Sequence, residues 1–180
     1  PSISKMPSIW IDPSASEALK TVLADAGANF VEKSKAEICI VTPIGCDATT
    51  ASVNFGLDAT CTVAVDEITG ISDRRTIMTT PVTEKSACDA VWGLLAVDGT
   101  PVTVIADSAG FISQRVIAMV VNLGCQVAAK GIATPADIDT AVKLGLNYPY
   151  GPLEWGDHLG AATIVKILDG LFDFTHDSRY

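Results

Sequence analysis

From Ser8 to Val104, short apolar runs alternate with stretches whose apolar residues recur every three to four positions. This is the pattern of strand–helix units, in which buried strands form a sheet and one-faced helices pack over it. Ile9 to Ile11 reads as a strand. Asp12-Pro13-Ser14 reads as a helix start, and Ala18, Leu19, Val22 and Leu23 hold helical spacing up to Gly27, which ends the helix. Phe30-Val31 and Ile38 to Val41 are predicted strands, and Asp47 is placed to cap a helix over residues 48 to 55. Residues 61–65 and 76–79 are two more β-rich runs. Residues 84–96 carry Ala87, Val91, Leu94 and Leu95 as a helical stripe before a strand over 102–105. The expectation is an α/β domain over residues 8–105 built on a parallel sheet.

After Ala106 the pattern turns entirely helical. A long stripe through Phe111, Ile112, Val116, Met119, Val120, Leu123 and Val127 predicts one face of a helix turned to a core, with Gly131 as its left-handed cap. The next helix has Thr134 as N-cap, Pro135 at its first position, Asp137 in the capping-box place, Lys143 near its end and Gly145 beyond it. Pro152 can open a third helix. A fourth, from about Ala161, shows Ile164, Ile167, Leu168, Leu171 and Phe172 on one face. Residues 106–176 therefore read as a second, all-α domain. Because the chain starts with Pro rather than Met, residues 1–7 are expected to be a boundary or linker inside a longer polypeptide.

Composition narrows the possible partners. With 48% hydrophobic and 18% charged residues the chain is too apolar for disorder. The net charge of -9 divides as -6 over residues 1–100 and -3 over the rest, with no basic cluster. Nucleic acid and anionic membranes are thereby disfavoured, since both need grouped Lys and Arg. No run long enough for a membrane span and no signal peptide occurs in the sequence, so a cytoplasmic location is expected. Cys39, Cys46, Cys61, Cys88 and Cys125 form no CxxC pair and read as buried free thiols.

Four ordered segments carry a resemblance: Asp107-Ser-Ala-Gly-Phe-Ile-Ser-Gln-Arg115, Thr134-Pro-Ala-Asp-Ile-Asp139, Val142-Lys-Leu-Gly145 and Tyr148-Pro-Tyr-Gly-Pro152, followed by Asp157 and Gly160. In order and nearly in spacing they resemble the motifs of the helical C-terminal domain of 3-hydroxyacyl-CoA dehydrogenases, over roughly residues 107–172. The resemblance implies a reduced Rossmann-like α/β domain followed by an all-α, 6-phosphogluconate dehydrogenase C-terminal-like dimerisation domain, as in the long bacterial members of that family. Gly110 would allow a tight turn into a helix, Arg115 would pair with an acidic neighbour, and Pro149 to Pro152 would make a rigid link.

The catalytic parts of the family pattern are replaced. Gln114 stands where the family has an asparagine beside the reacting end of the acyl chain, and the longer amide displaces its donor enough that the role is not carried over. Arg75-Thr-Ile-Met-Thr-Thr-Pro-Val82 resembles the segment holding the family's histidine base, and Ile77 takes the histidine's place, where no proton can be exchanged. The chain after Val82 looks shortened where the family's glutamate would stand. No G-x-G-x-x-G follows any predicted strand, and Val41-Thr-Pro-Ile-Gly45 offers one glycine where a dinucleotide loop needs several.

The resulting expectation is a non-catalytic structural and pairing half of a 3-hydroxyacyl-CoA dehydrogenase. The parent would oxidise a 3-hydroxyacyl-CoA such as 3-hydroxybutyryl-CoA with NAD, both bound by upstream domains of the same chain. This segment would contribute no cofactor-binding, metal or confident catalytic residue, and alone would homodimerise through its helical domain. Two alternatives stay open: a regulatory module that binds acyl-CoA or a nucleotide, and a competent enzyme in which Gln114 serves for asparagine. His158 beside Asp157 reads as a surface histidine, His176 as part of a polar tail, Asp66-Glu67 as a solvated strand end, and Trp155 as an interface aromatic.

Overall fold

The computed structural model describes residues 6–180; Pro1 to Lys5, most of the expected boundary segment 1–7, lie outside the described residues. The chain divides into two compact units, one reaching to Phe111 and one running from Ile112 to Tyr180.

The first unit is built on a six-stranded sheet in the order β2-β1-β3-β4-β5-β6. Its strands are β1 (Ser8–Ile11), β2 (Asn29–Phe30), β3 (Ile38–Val41), β4 (Thr62–Asp66), β5 (Arg75–Thr79) and β6 (Val102–Ile105). Helices α1 (Glu17–Asp25), α2 (Ala48–Phe55) and α3 (Lys85–Leu95) complete it. Alternation along the strands sorts the side chains to two faces. Ile9, Ile38, Ile40, Val63, Val65 and Ile77 pack with Leu19 and Leu23 of α1 and Val91, Leu94 and Leu95 of α3. Val41, Ala64 and Met78 face Ala48 and Ala51 of α2, and Phe111 joins them there.

Two sequence expectations are corrected in this unit. The sheet is not wholly parallel: β4 and β5 pair antiparallel, Val63 opposite Thr79 and Asp66 opposite Thr76. Residues 67–74 between them hold no helix, and a short link without a crossover returns the chain antiparallel. Helix α1 begins at Glu17 rather than at Asp12-Pro13-Ser14, with the hydroxyl of Ser16 accepting from Leu19 N. The Asp12 carboxylate instead accepts from Ser14 N at 2.8 Å and Ser14 Oγ at 2.7 Å, a local turn that competes with helix. Asp47 caps α2 as its position predicts, accepting from Thr50 N.

The second unit is a bundle of α4 (Ser113–Ala129), α5 (Pro135–Leu146), α6 (Pro152–Leu159) and α7 (Ala161–Thr175). Helix α4 packs against each of the other three. Its interior residues are Gln114, Ile117, Ala118, Val121 and Gly124. The predicted core stripe is therefore largely the outer face, with Leu123 62%, Ile112 57% and Val116 45% exposed. The reason is steric: a Cβ on Gly124 would stand 2.4 Å from Pro152 Cβ, so the face with small residues takes the close contact with α6. Helix α5 also runs past Gly145 to Leu146, and Asn147, at φ 54°, supplies the left-handed residue. No described helix is long and apolar enough to cross a membrane.

Candidate functional site

The residues matching the four motifs separate into two local constructions. In the first unit, β6 leads into Asp107, whose carboxylate accepts from Ala48 N at 2.7 Å and Thr49 N at 3.3 Å, and from the Thr49 hydroxyl. Those are amino-terminal groups of α2, which have no partner within the helix. Ser108 N donates to Met78 Sδ at 3.2 Å. Gly110 and Phe111 both take positive φ, 72° and 43°. Two successive left-handed residues turn the chain sharply, and the second, a phenylalanine, is held there by burial of its ring over the sheet. Gly110 thus has the turning role that its place in the motif implied.

In the second unit the motifs clasp one another. Thr134 caps α5 by accepting from Asp137 N. Asp139, from the same motif, is buried and accepts from Leu153 N at 2.8 Å, satisfying the amino end of α6. Gly151 is required at this contact, because a Cβ there would lie 2.4 Å from Asp139 Cα. Lys143 Nζ donates to Glu154 Oε1 at 2.6 Å, while Glu154 Oε2 accepts from Gly151 N at 2.9 Å. Hydrogen bonding to Lys143, and then to Gly151 N, holds the Glu154 carboxyl below its usual range. The capping role of Asp139 was not visible in the sequence, since its partner lies in the next helix.

Gln114, in the first turn of α4, is wholly enclosed. Ile77 is also wholly buried, on the α1 and α3 side of the sheet, whereas Phe111 of the Asp107-Arg115 segment lies on the α2 side. Arg115 Nη1 donates to Tyr180 Oη at 3.2 Å, and its guanidinium lies 5.9 Å from that ring's centroid. His158 is exposed and stacks on Tyr150, ring centroids 5.2 Å apart at 16°. Trp155, expected at an interface, is instead buried against Tyr150 and belongs to the bundle core. His176 closes α7 in a left-handed conformation.

The places where a Rossmann-like unit would hold a dinucleotide are the loops after its strands and the amino ends of the helices that follow them. Here those amino ends meet the chain's own carboxylates. Glu67, just beyond β4, accepts from Ser16 N at 3.2 Å and from the Ser16 hydroxyl at the start of α1. Asp47 and Asp107 take the start of α2. Asp66 is buried, not solvated as expected, and its Oδ1 accepts from Ile68 N. Asp12, also buried, closes the β1 loop onto Thr42. A pyrophosphate would meet negative charge where it needs donors, so these residues do not fit NAD. Among the described residues no group of three or more His, Cys, Asp or Glu could hold a metal ion. Nor are the cysteines uniformly buried: Cys39 is, Cys46, Cys61 and Cys88 are half-buried, and Cys125 is exposed.

Comparison with known proteins places this geometry in a family. Residues 110–180 match the family described as 3-hydroxyacyl-CoA dehydrogenase, C-terminal domain. Over 105 residues the chain is 40% identical to 3-hydroxyadipyl-CoA dehydrogenase of Escherichia coli (strain K12), covering 58% of this chain and 22% of that protein. It is 34% identical over 100 residues to 3-hydroxybutyryl-CoA dehydrogenase of Clostridioides difficile, covering 55% of this chain and 35% of the relative. The chain thus spans about a fifth to a third of these relatives. The crystal structure of 3-hydroxybutyryl-CoA dehydrogenase from Escherichia coli K12 superposes with a TM-score of 0.68 at 33% identity, over 78% of this chain and 29% of that one. A Ralstonia eutropha (S)-3-hydroxybutyryl-CoA dehydrogenase shares the fold over 96% of this chain and 61% of its own, with a TM-score of 0.74 at 22% identity. A mostly parallel α/β sheet unit followed by an all-helical unit carrying the Asp107-to-Pro152 motifs is the arrangement of those dehydrogenases, and residues 110–180 belong to the C-terminal domain family of 3-hydroxyacyl-CoA dehydrogenases.

Proposed function

We propose that this chain is a non-catalytic, structural half of an NAD-dependent 3-hydroxyacyl-CoA dehydrogenase, with a reduced Rossmann-like domain over residues 8–105 and a helical pairing domain over 106–176. The observation that carries the reading is the filling of both helix amino ends by Glu67, Asp47 and Asp107. The family's chemistry needs a cradle for the cofactor's pyrophosphate and a base for the substrate hydroxyl. This chain puts carboxylates in the first place and a buried isoleucine, Ile77, in the second. NAD and acyl-CoA would then be held by upstream domains of the same parent chain, which would oxidise the 3-hydroxyacyl thioester to the 3-oxo thioester.

What this half contributes is a surface. The exposed Ile112, Val116 and Leu123, with Met119 and Val120 beside them, recur at steps of four and three residues along α4, the spacing of a helix-pairing seam. A second helical domain of the same kind is the partner this seam suits, supplied within the parent chain or by a second copy.

Calorimetric titration of the chain with NADH and, separately, acetoacetyl-CoA tests the proposal. No saturable heat from either is expected. Saturable NADH binding would refute the non-catalytic reading, and acetoacetyl-CoA binding alone would favour an acyl-CoA-binding regulatory module. Light scattering of the eluted chain should give a dimer that Leu123→Glu converts to a monomer; a monomeric parent at high concentration would remove the pairing role.

A further inference from the structure

The Cys39 and Cys61 thiols belong to none of the constructions above. Cys39 lies in β3, with Thr62 of β4 as its Cα partner, so Cys61 is one residue along the neighbouring strand's path. With strands about 4.8 Å apart and a rise of about 3.3 Å per residue, the two Cα atoms are about 6 Å apart. That lies within the roughly 4.4–6.8 Å that a disulfide spans. Cys61 closes a 3-10 turn, Ala59–Cys61, rather than continuing the strand's alternation; its thiol donates to the Asp58 carbonyl at 3.4 Å, and each of the two thiols influences the titration of the other. Cys61 is half-buried and reachable by a small oxidant, whereas Cys39 is only 4% exposed.

We propose that Cys39 and Cys61 are a modification site, a neighbouring dithiol that a two-electron oxidant of the peroxide class closes to an intrachain disulfide joining β3 to the start of β4. The Cys61 thiolate attacks one peroxide oxygen, giving a sulfenic acid and releasing water. The Cys39 sulfur then displaces the sulfenic oxygen as a second water, so that two thiols and one hydrogen peroxide yield one disulfide and two waters.

The surroundings set the order and pace of these steps. Cys61 is the more accessible of the two thiols, which makes it the attacking sulfur. Burial pushes Cys39 up to about 12 and is also the largest influence on Cys61, whose thiol is raised as well. The charged groups facing the pair are Lys33, Asp58 and Glu84; Asp58 raises both thiols, Glu84 raises Cys61 and Lys33 lowers Cys39. Thiolate is therefore scarce at neutral pH, and closure accelerates about tenfold per pH unit until Cys61 titrates.

Treating the full chain with hydrogen peroxide at pH 7 and pH 9, then mapping peptides without reduction, tests the proposal. The expected product is a Cys39–Cys61 peptide pair lighter by two hydrogens than its reduced parts, formed faster at pH 9. It is absent in Cys61→Ser and present in Cys125→Ser. Phenylarsine oxide, a trivalent arsenical that bridges two thiols, should bind the parent chain and be lost in Cys61→Ser. Recovery of Cys39 reduced while Cys61 carries sulfinic acid, or of Cys125-linked chains as the sole disulfide, would overturn it.

Discussion

Two glycines on neighbouring helices should respond to the same substitution with opposite signs. Gly124 lies inside α4 and Gly145 inside α5, and in an unobstructed helix Gly→Ala stabilises by about 1 kcal/mol. Nothing stands within 4 Å of a Cβ built on Gly145, so Gly145→Ala should realise that gain. A Cβ on Gly124 would stand 2.4 Å from Pro152 Cβ, 3.2 Å from Leu153 Cδ2 and 3.3 Å from Pro152 Cγ. Carbon atoms in contact sit about 3.5–4.0 Å apart, so the first of these is short by more than 1 Å. Pro152 is a ring at the first position of α6 and cannot rotate away, so the helices must part. Overpacking of this kind costs about 1–3 kcal/mol, and separation also loosens the Gly156 approach to Val121, where a Cβ would be 3.2 Å from Cγ1. Because the clash outweighs the propensity gain, we expect Gly124→Ala to destabilise the helical unit by ~2 kcal/mol. Trp155, buried in that unit, reports its unfolding in a Trp10→Phe, Trp92→Phe background. With a urea slope of about 1 kcal/mol per molar, the midpoint should fall by roughly 2 M for Gly124→Ala and rise by roughly 1 M for Gly145→Ala. A Gly124→Ala midpoint at or above the parent's would refute the close-packing account of which face of α4 is buried.

The same helical unit should lose about 1–2 kcal/mol on Asp139→Ala, measured by the same urea titration, because Leu153 N is left without its acceptor. Glu154 has its folded-state carboxyl depressed by Lys143, so its contribution is present above the ordinary glutamate value near pH 4.5 and is lost as pH falls through the lower folded value. Melting temperature followed below pH 5 should show a descent that is shallower in Glu154→Gln; identical profiles would assign the acid sensitivity elsewhere. In the first unit, Arg75 is 2% exposed and donates to the carbonyls of Ile71 and Leu95 as well as to both oxygens of Asp98. Arg75→Met should destabilise that unit by about 3 kcal/mol in thermal melts, since two carbonyls lose their donor; a change within 0.5 kcal/mol would show that water replaces the guanidinium without loss.

Much of the architecture was legible along the chain. Strand β3, strand β6 and helix α2 fall where apolar runs and Asp47 placed them. The Asp107-to-Pro152 motifs identified the family. Where the reading failed, the deciding contact lay far along the chain. The helix start at Asp12-Pro13-Ser14 lost to a turn that Asp12 makes with Ser14 and Thr42. Asp66-Glu67 had the look of a solvated strand end because neither the burial of Asp66 nor the Ser16 partner of Glu67 is encoded nearby.

By itself the sequence determined the local terms: strand and helix periods, the caps supplied by Asp47 and Thr134, and the absence of a glycine-rich loop or a histidine at position 77. These depend on residues a few positions apart, where backbone geometry dictates which side chains meet. Tertiary structure alone decided the direction of β5, the outward face of α4, the register that sets Cys39 opposite Thr62, next to Cys61, and the carboxylates at the amino ends of α1, α2 and α6. Each of these is a contest between surfaces or charges distant in sequence. A helix with apolar residues on two faces buries the one whose small side chains allow the closer approach, and that depends on the shape of the neighbour it meets.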